Sequence, residues 1–259
     1  VGRVSEKLVP AMAVLFLSTG MAVIWAHAES VLPALREIVT CALTPRAALG
    51  GASGYTVSAA LRYGVARGVF TNEAGVGSSA MAHAAADADF PAQEGFWGIF
   101  EVFFATMVVC TVTALTILTS GVYDPAAALS ALEQGTVTGE MTGAPLSAAA
   151  FSTVFGQAGG LIVAVCLLLF AFTSLLGWSY YGERGLAHLT GDNRLRRPFR
   201  LVFLLAVAAG SVGEVGAVWA LSDLCDGLMA LPNLLAVAIL APQARREMTP
   251  SGLKRRKAR

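Results

Sequence analysis

Residues 68–86 read "GVFTNEAGVGSSAMAHAAA", and their polarity is the first thing that needs an account. An amide (Asn72), a carboxylate (Glu73), three hydroxyls (Thr71, Ser78, Ser79) and two glycines (Gly75, Gly77) crowd together, followed by His83, inside an otherwise apolar chain. Upstream, Gly50, Gly51, Gly54, Gly64 and Gly68 add to the glycine density. Glycine costs a helix interior up to about 1 kcal/mol relative to alanine. The stretch is therefore predicted to be a discontinuous helix over about residues 55–86, two half-helices joined by extended backbone. Within hydrocarbon, such a break is tolerated only where protein or a water-filled cavity satisfies the freed N–H and C=O groups. The break thus implies a cavity.

The surrounding composition places that break in a membrane. Of 259 residues, 56% are hydrophobic and 14% charged, with a mean hydropathy of +0.66, whereas a soluble domain carries about 25% charged residues. No Lys or Arg occurs between Arg67 and Arg184, an arrangement unsuited to a water-facing surface. Runs at 8–27, 95–122, 151–178, 199–217 and 219–241 come close to or exceed the roughly 20 apolar residues a helix needs to span a bilayer. They are read as five spans, with the broken segment as a sixth. Between the first run and the break, "LPALREIVTCAL" (32–43) is amphipathic over about three turns. The domain reading is a transmembrane domain over 1–247 and a basic cytoplasmic tail over 248–259.

Charge bias in short loops orients the spans. Arg184, Arg194, Arg196, Arg197 and Arg200 make the 183–200 connection cytoplasmic, and "QARREM" with "LKRRKAR" does the same for the C-terminus. The 123–147 connection holds Asp124, Glu133 and Glu140 but no Lys or Arg, as expected outside. The expectation is a multi-pass protein of the cell membrane with a cytoplasmic C-terminus. The basic tail is ordinary positive-inside charge, and no nucleic-acid partner is expected. A Gly-Lys-Ser/Thr phosphate loop, a His-Glu metalloprotease helix and a nucleophile–base constellation are all missing from the sequence, so neither an ATP-driven motor nor an enzyme is expected. Cys41, Cys110, Cys166 and Cys225 are dispersed and are read as small buried apolar residues.

Three constellations carry candidate chemistry. At the break, Asn72 supplies a donor and an acceptor, and Gly75 and Gly77 allow close approach to main chain. Glu73 is an intramembrane carboxylate, read either as a ligand or cation contact or as a brace paired with Arg67 or Arg62. In "LLLFAFTSLLGWSYYGE" (167–183), Thr173 and Ser174 offer hydroxyls for a desolvated monovalent cation, and Ser174 and Trp178 share a helix face. The alternative is that these hydroxyls bond back to the carbonyl four residues earlier, with Trp178, Tyr180 and Tyr181 forming an interfacial belt. In "WALSDLCDGLMALPNLLAV" (219–237), Asp223, Asp226 and Asn233 either line a water-accessible path or fix helix contacts; both readings stand. His27, His83 and His188 are too scattered for a metal site and are read as interfacial or packing residues.

The motifs "LVPAMA", "RYGVARGVFTNEAGVGSSAMAHAAA", "EVFFATMVVCTVTALTILTSGVY", "FAFTSLLGWSYYGER" and "SDLCDGLMALPNL", in this order over nearly the whole chain, resemble the alanine or glycine:cation symporters. These are sodium-coupled amino acid carriers of the LeuT-type fold, in the APC superfamily of inverted-repeat transporters. The resemblance implies an all-α integral membrane protein that looks like about core helices 5 to 10, the C-terminal portion of the family fold. By position it implies amino acid contact at Asn72, Gly75, Gly77 and Trp178. It implies sodium ligation by Thr173, Ser174 and the Phe170 carbonyl, with Glu73 and Arg67 in structural or coupling roles.

The implied function is sodium-coupled symport of alanine, glycine or a similar small neutral amino acid. Sodium is the transported ion, no organic cofactor is expected, and the partners are the amino acid, the bilayer and an N-terminal half absent from this chain. Two positions depart from the family pattern. Ala105-Thr106 stands where members usually read Asp-Thr, and Asp226 stands where they usually have Asn before Gly-Leu-Met. The rival reading is a truncated, non-transporting membrane remnant or sensor of the same fold.

Overall fold

The computed structural model describes residues 2–43, 57–88, 91–124, 127–128, 143–192 and 194–247. The described structure is helical. Helix α1 runs Gly2–Ala26 and passes through a short 3₁₀ turn, Ala28–Ser30, into α2, Val31–Leu43, the amphipathic stretch anticipated from sequence. The discontinuous segment follows as α3, Val57–Asn72, and the six-residue α4, Ser78–His83. Helix α5, Pro91–Phe103, continues through a π-helical turn, Phe104–Cys110, into α6, Thr111–Thr119. Then come α7, Gly143–Phe155; α8, Gln157–Thr190; α9, Arg196–Val212; and α10, Val215–Glu247.

Among the described residues, four helical stretches are long and apolar enough to cross a membrane: Glu6–Ala26, Pro91–Thr119, Gln157–Thr190 and Val215–Arg246. The span expected at 151–178 is shifted, because the chain reverses its φ to +56° at Gly156 and starts a new helix there. The short apolar α7 precedes that break. The span expected at 199–217 is a helix of 17 residues, about 25 Å at 1.5 Å per residue, slightly short of the hydrocarbon core. It stops at Gly213, whose backbone is extended. The basic tail, most of the 123–147 connection, and Gly50, Gly51 and Gly54 lie outside the described residues.

The helices group into two compact units. The first contains α1, α2, α6, α7 and α8 up to Leu176. Here α1 packs on α6 and α7 around Met12, Val23, Val112 and Phe151, all buried. Close approach is set by Gly20: a Cβ there would stand 2.9 Å from Val112 Cγ1. Small residues at such contacts let helix backbones approach, which drives association where lipid and side chains are equally apolar. Thr116, fully buried, keeps its hydroxyl satisfied by donating to the Val112 carbonyl at 2.8 Å. Phe16 spans the unit, 5.6 Å from the Phe151 ring and edge-on to Phe170 at 6.2 Å.

The second unit comprises Tyr63–Ala105 and the chain from Gly177 onward, and so holds the break, α5, the end of α8, α9 and α10. At its α8–α9 corner the Arg200 guanidinium grips the buried Glu183 with two nitrogens, one at 2.9 Å and the other closer. A fork-to-carboxylate pair of this kind fixes orientation as well as charge. Of the cysteines, Cys166 is buried as expected, but Cys110 and Cys225 are exposed. Both lie on membrane-length apolar helices, whose outer faces acyl chains can solvate, so exposure there carries little penalty for an apolar side chain.

Candidate functional site

The break is built from five residues, 73–77, between the end of α3 and the start of α4. Glu73, Gly75 and Gly77 have φ of +48°, +79° and +89°. The joint is thus a succession of tight turns and not the extended backbone anticipated. Three of the five residues are left-handed, which explains why glycines occupy two of the positions. Glu73 is the exception, and a left-handed residue with a side chain is strained by about 1–2 kcal/mol. Its carboxylate accepts a hydrogen bond from the buried Ser78 hydroxyl, tying the first residue of the joint to the first of α4. That closure offsets the strain.

Helix α10 braces the joint at two places. Asn233 donates from Nδ2 to the Gly75 carbonyl at 2.9 Å. One half-helix earlier, Arg67 pairs with Asp223, its guanidinium 4.4 Å from the Trp219 ring centroid and 5.6 Å from that of Phe70. Arg67 belongs to Asp223, and the carboxylate of Glu73 is held by Ser78. Asp223 and Asn233 thus both make contacts from α10 to the broken segment.

Beside the joint lies an open cleft of about 1410 Å³. Asn72, Glu73 and Gly75 line it, with Ser79 and His83 from α4, Glu94 and Glu101 from α5, and Tyr181 from α8. Asn72 sits at its edge with Nδ2 donating to the Gly68 carbonyl at 3.0 Å, a bond a ligand carboxylate or carbonyl can replace. Ala105, within the π-helical turn, also borders the cleft. π-Bulges interrupt the regular hydrogen-bond ladder and recur at functional sites.

The other expected site residues divide. Gly77 faces Asn233 and is not part of the cleft wall: a Cβ there would meet Asn233 Cγ and Oδ1 at 2.9 Å. Trp178 is half-buried and packs edge-on against Tyr181 with centroids 5.9 Å apart. Tyr181 lines the cleft and Trp178 does not. Phe170, Thr173 and Ser174 belong to the first unit, whereas Asn72 and Gly75 belong to the second. The Thr173 hydroxyl donates to the carbonyls of Leu169 and Phe170, both at 3.0 Å, the back-bonded state. A hydroxyl that donates this way keeps its own lone pairs for a cation. Ser174 is exposed.

Sequence reasoning missed a polar cluster at the cleft. His83, read as a packing or interfacial residue, has Nδ1 2.8 Å from Glu94 Oε2 and Nε2 3.7 Å from Glu101 Oε2. The spacing of Glu94 and Glu101, seven residues and so about two helical turns apart, was the available signal. Which residue they would face was not visible before α4 and α5 came together. Among the described residues no group of three or more His, Cys, Asp or Glu side chains is arranged to hold a metal ion.

Against known proteins, the profile described as "Sodium:alanine symporter family" matches residues 1–258. Among curated relatives, an uncharacterized transporter of Haemophilus influenzae is 37% identical over 238 residues, 92% of this chain and 49% of that protein. The sodium/alanine symporter AgcS of Methanococcus maripaludis is 35% identical over 241 residues, 93% and 50% respectively. The sodium/proton-dependent alanine carrier protein of Bacillus sp. PS3 is 33% identical over 247 residues, 93% and 54%. The chain spans about half the length of the curated relatives it matches.

Proposed function

The chain belongs to the sodium:alanine symporter family, a family of secondary transporters and not of enzymes, and from that premise we propose that it forms part of a carrier that couples sodium entry to uptake of alanine, glycine or a similar small neutral amino acid. The observation that carries the reading is the joint at 73–77, where left-handed backbone and the Asn72 amide open onto a cleft that also holds Glu73, His83, Glu94 and Glu101. Discontinuous helices are how secondary transporters hold small charged substrates and cations near the bilayer midplane. The names of the Methanococcus and Bacillus relatives support alanine and sodium.

In this reading Asn72 and the Gly75 backbone contact the amino acid, Gly77 shapes the turn from behind, and Trp178 flanks the pocket through Tyr181. Thr173, Ser174 and the Phe170 carbonyl supply sodium ligands. Glu73 has the structural part, and Arg67 anchors α3 to α10. The fold is that of LeuT-type inverted-repeat transporters, with this chain as about core helices 5 to 10, and the partner half of the site comes from a further segment of the same carrier. Because the cation and the amino acid each favour the same state of the carrier, binding of either raises affinity for the other.

The test is uptake of radiolabelled alanine into proteoliposomes containing the full-length gene product that carries this chain. An imposed inward sodium gradient is expected to drive accumulation, and its collapse to abolish it. Uptake indifferent to sodium sinks the coupling. Uptake of nothing across a panel of neutral amino acids favours the rival reading of a non-transporting remnant.

A further inference from the structure

One residue of α10 does two jobs at the joint. Asn233, half-buried, donates its amide hydrogen to the Gly75 carbonyl at 2.9 Å. The same amide fills the space a side chain at 77 would need, since a Cβ on Gly77 would lie 2.9 Å from Cγ and Oδ1 of Asn233. The next residue, Leu234, comes within 3.4 Å of the corresponding point on Gly75. Two consecutive residues of one helix therefore seat two left-handed glycines of the broken one. A carbonyl released from a helix ladder needs a donor, and in a low-dielectric setting water is a poor competitor for it.

We propose that Asn233 is a positioning residue for the amino acid site: by anchoring the Gly75 carbonyl to α10 it fixes the turn that presents Asn72 and the adjacent backbone to the cleft. The inference rests on the transport reading above. A filler role alone needs only volume at 233, which leucine supplies. The positioning role needs the N–H donor, which neither leucine nor aspartate has, although aspartate keeps the shape.

The experiment compares Asn233→Leu and Asn233→Asp with the unsubstituted full-length protein in proteoliposomes, measuring alanine KM at saturating sodium and Vmax per reconstituted transporter. Loss of this part-buried hydrogen bond is expected to raise KM about five- to twentyfold in both variants, with Vmax within about twofold. Leu235→Ala, at an exposed neighbour on α10, is expected to leave both unchanged. A KM within about twofold of the unsubstituted protein in both variants, or a fall in Vmax alone, overturns the proposal.

A second readout does not depend on transport. Ala74 is exposed and lines the cleft, so Ala74→Cys, with the four native cysteines replaced, reports the joint through its rate of labelling by a charged methanethiosulfonate. Asn233→Leu is expected to raise that rate at least about threefold. An unchanged rate overturns the proposal even if the unsubstituted protein transports nothing, whereas absent transport with an altered rate counts only against the transport reading.

Discussion

Gly77 shows how one missing side chain carries several constraints. Its φ of +89° and the Asn233 amide behind it exclude a Cβ twice over. Gly77→Ala is expected to cost about 1–2 kcal/mol for the left-handed backbone, with the clash against Asn233 in addition. A thermal-stability assay on detergent-solubilised protein should register a clear loss. A melting temperature matching the unsubstituted protein would mean the joint relaxes freely. Asn72 differs in kind, because it lines the cleft and its amide donates within its own helix, to the Gly68 carbonyl. Asn72→Ala is expected to raise the alanine KM about tenfold, a factor matching one polar contact, while leaving membrane insertion and thermal stability intact. An unchanged KM removes Asn72 from the substrate site. The polarity of 71–79 announced that something happens here, but the bond from Ser78 to Glu73 did not announce itself. It joins residues five apart across a joint whose left-handed dihedrals no propensity scale contains.

Helices were legible where periodicity or hydropathy was strong. The amphipathic α2 and the long apolar runs emerged close to their expected places, because side-chain burial in lipid or protein follows composition. The shifts came at glycines. Gly156 turns what reads as one run into α7 and α8, and the π-helical turn at Phe104–Cys110 interrupts a run that looks uniform. Helix α8 poses the next test. Its Thr173 hydroxyl bonds back to Leu169 and Phe170, compatible with packing and with cation ligation alike. If the hydroxyls ligate sodium, Thr173→Ala and Ser174→Ala each raise the sodium concentration for half-maximal uptake several-fold, and the alanine KM at saturating sodium stays put. A packing role gives the reverse: lower stability with sodium dependence retained.

The chain spans about half of its relatives' length, forms two compact units and, among the described residues, has four membrane-length helices. We propose a cytoplasmic C-terminus from the positive-inside bias of the Arg-rich connections. A C-terminal epitope tag on cells is expected to react with antibody only after permeabilisation, and reaction on intact cells would reverse the assignment. Membrane residence, the helical class, the existence of a break and the family resemblance are all local properties, written in hydropathy, glycine density and contiguous motifs, and they could be read one residue after another. The pairing of Arg67 with Asp223, the seat of Gly75 and Gly77 on Asn233, and the meeting of His83 with Glu94 could not. The first two join residues more than 150 positions apart, and several polar partners were chemically available to each side chain. Only the packing of α3, α4, α5 and α10 selects among them, because a hydrogen bond or ion pair needs its atoms within about 3–4 Å.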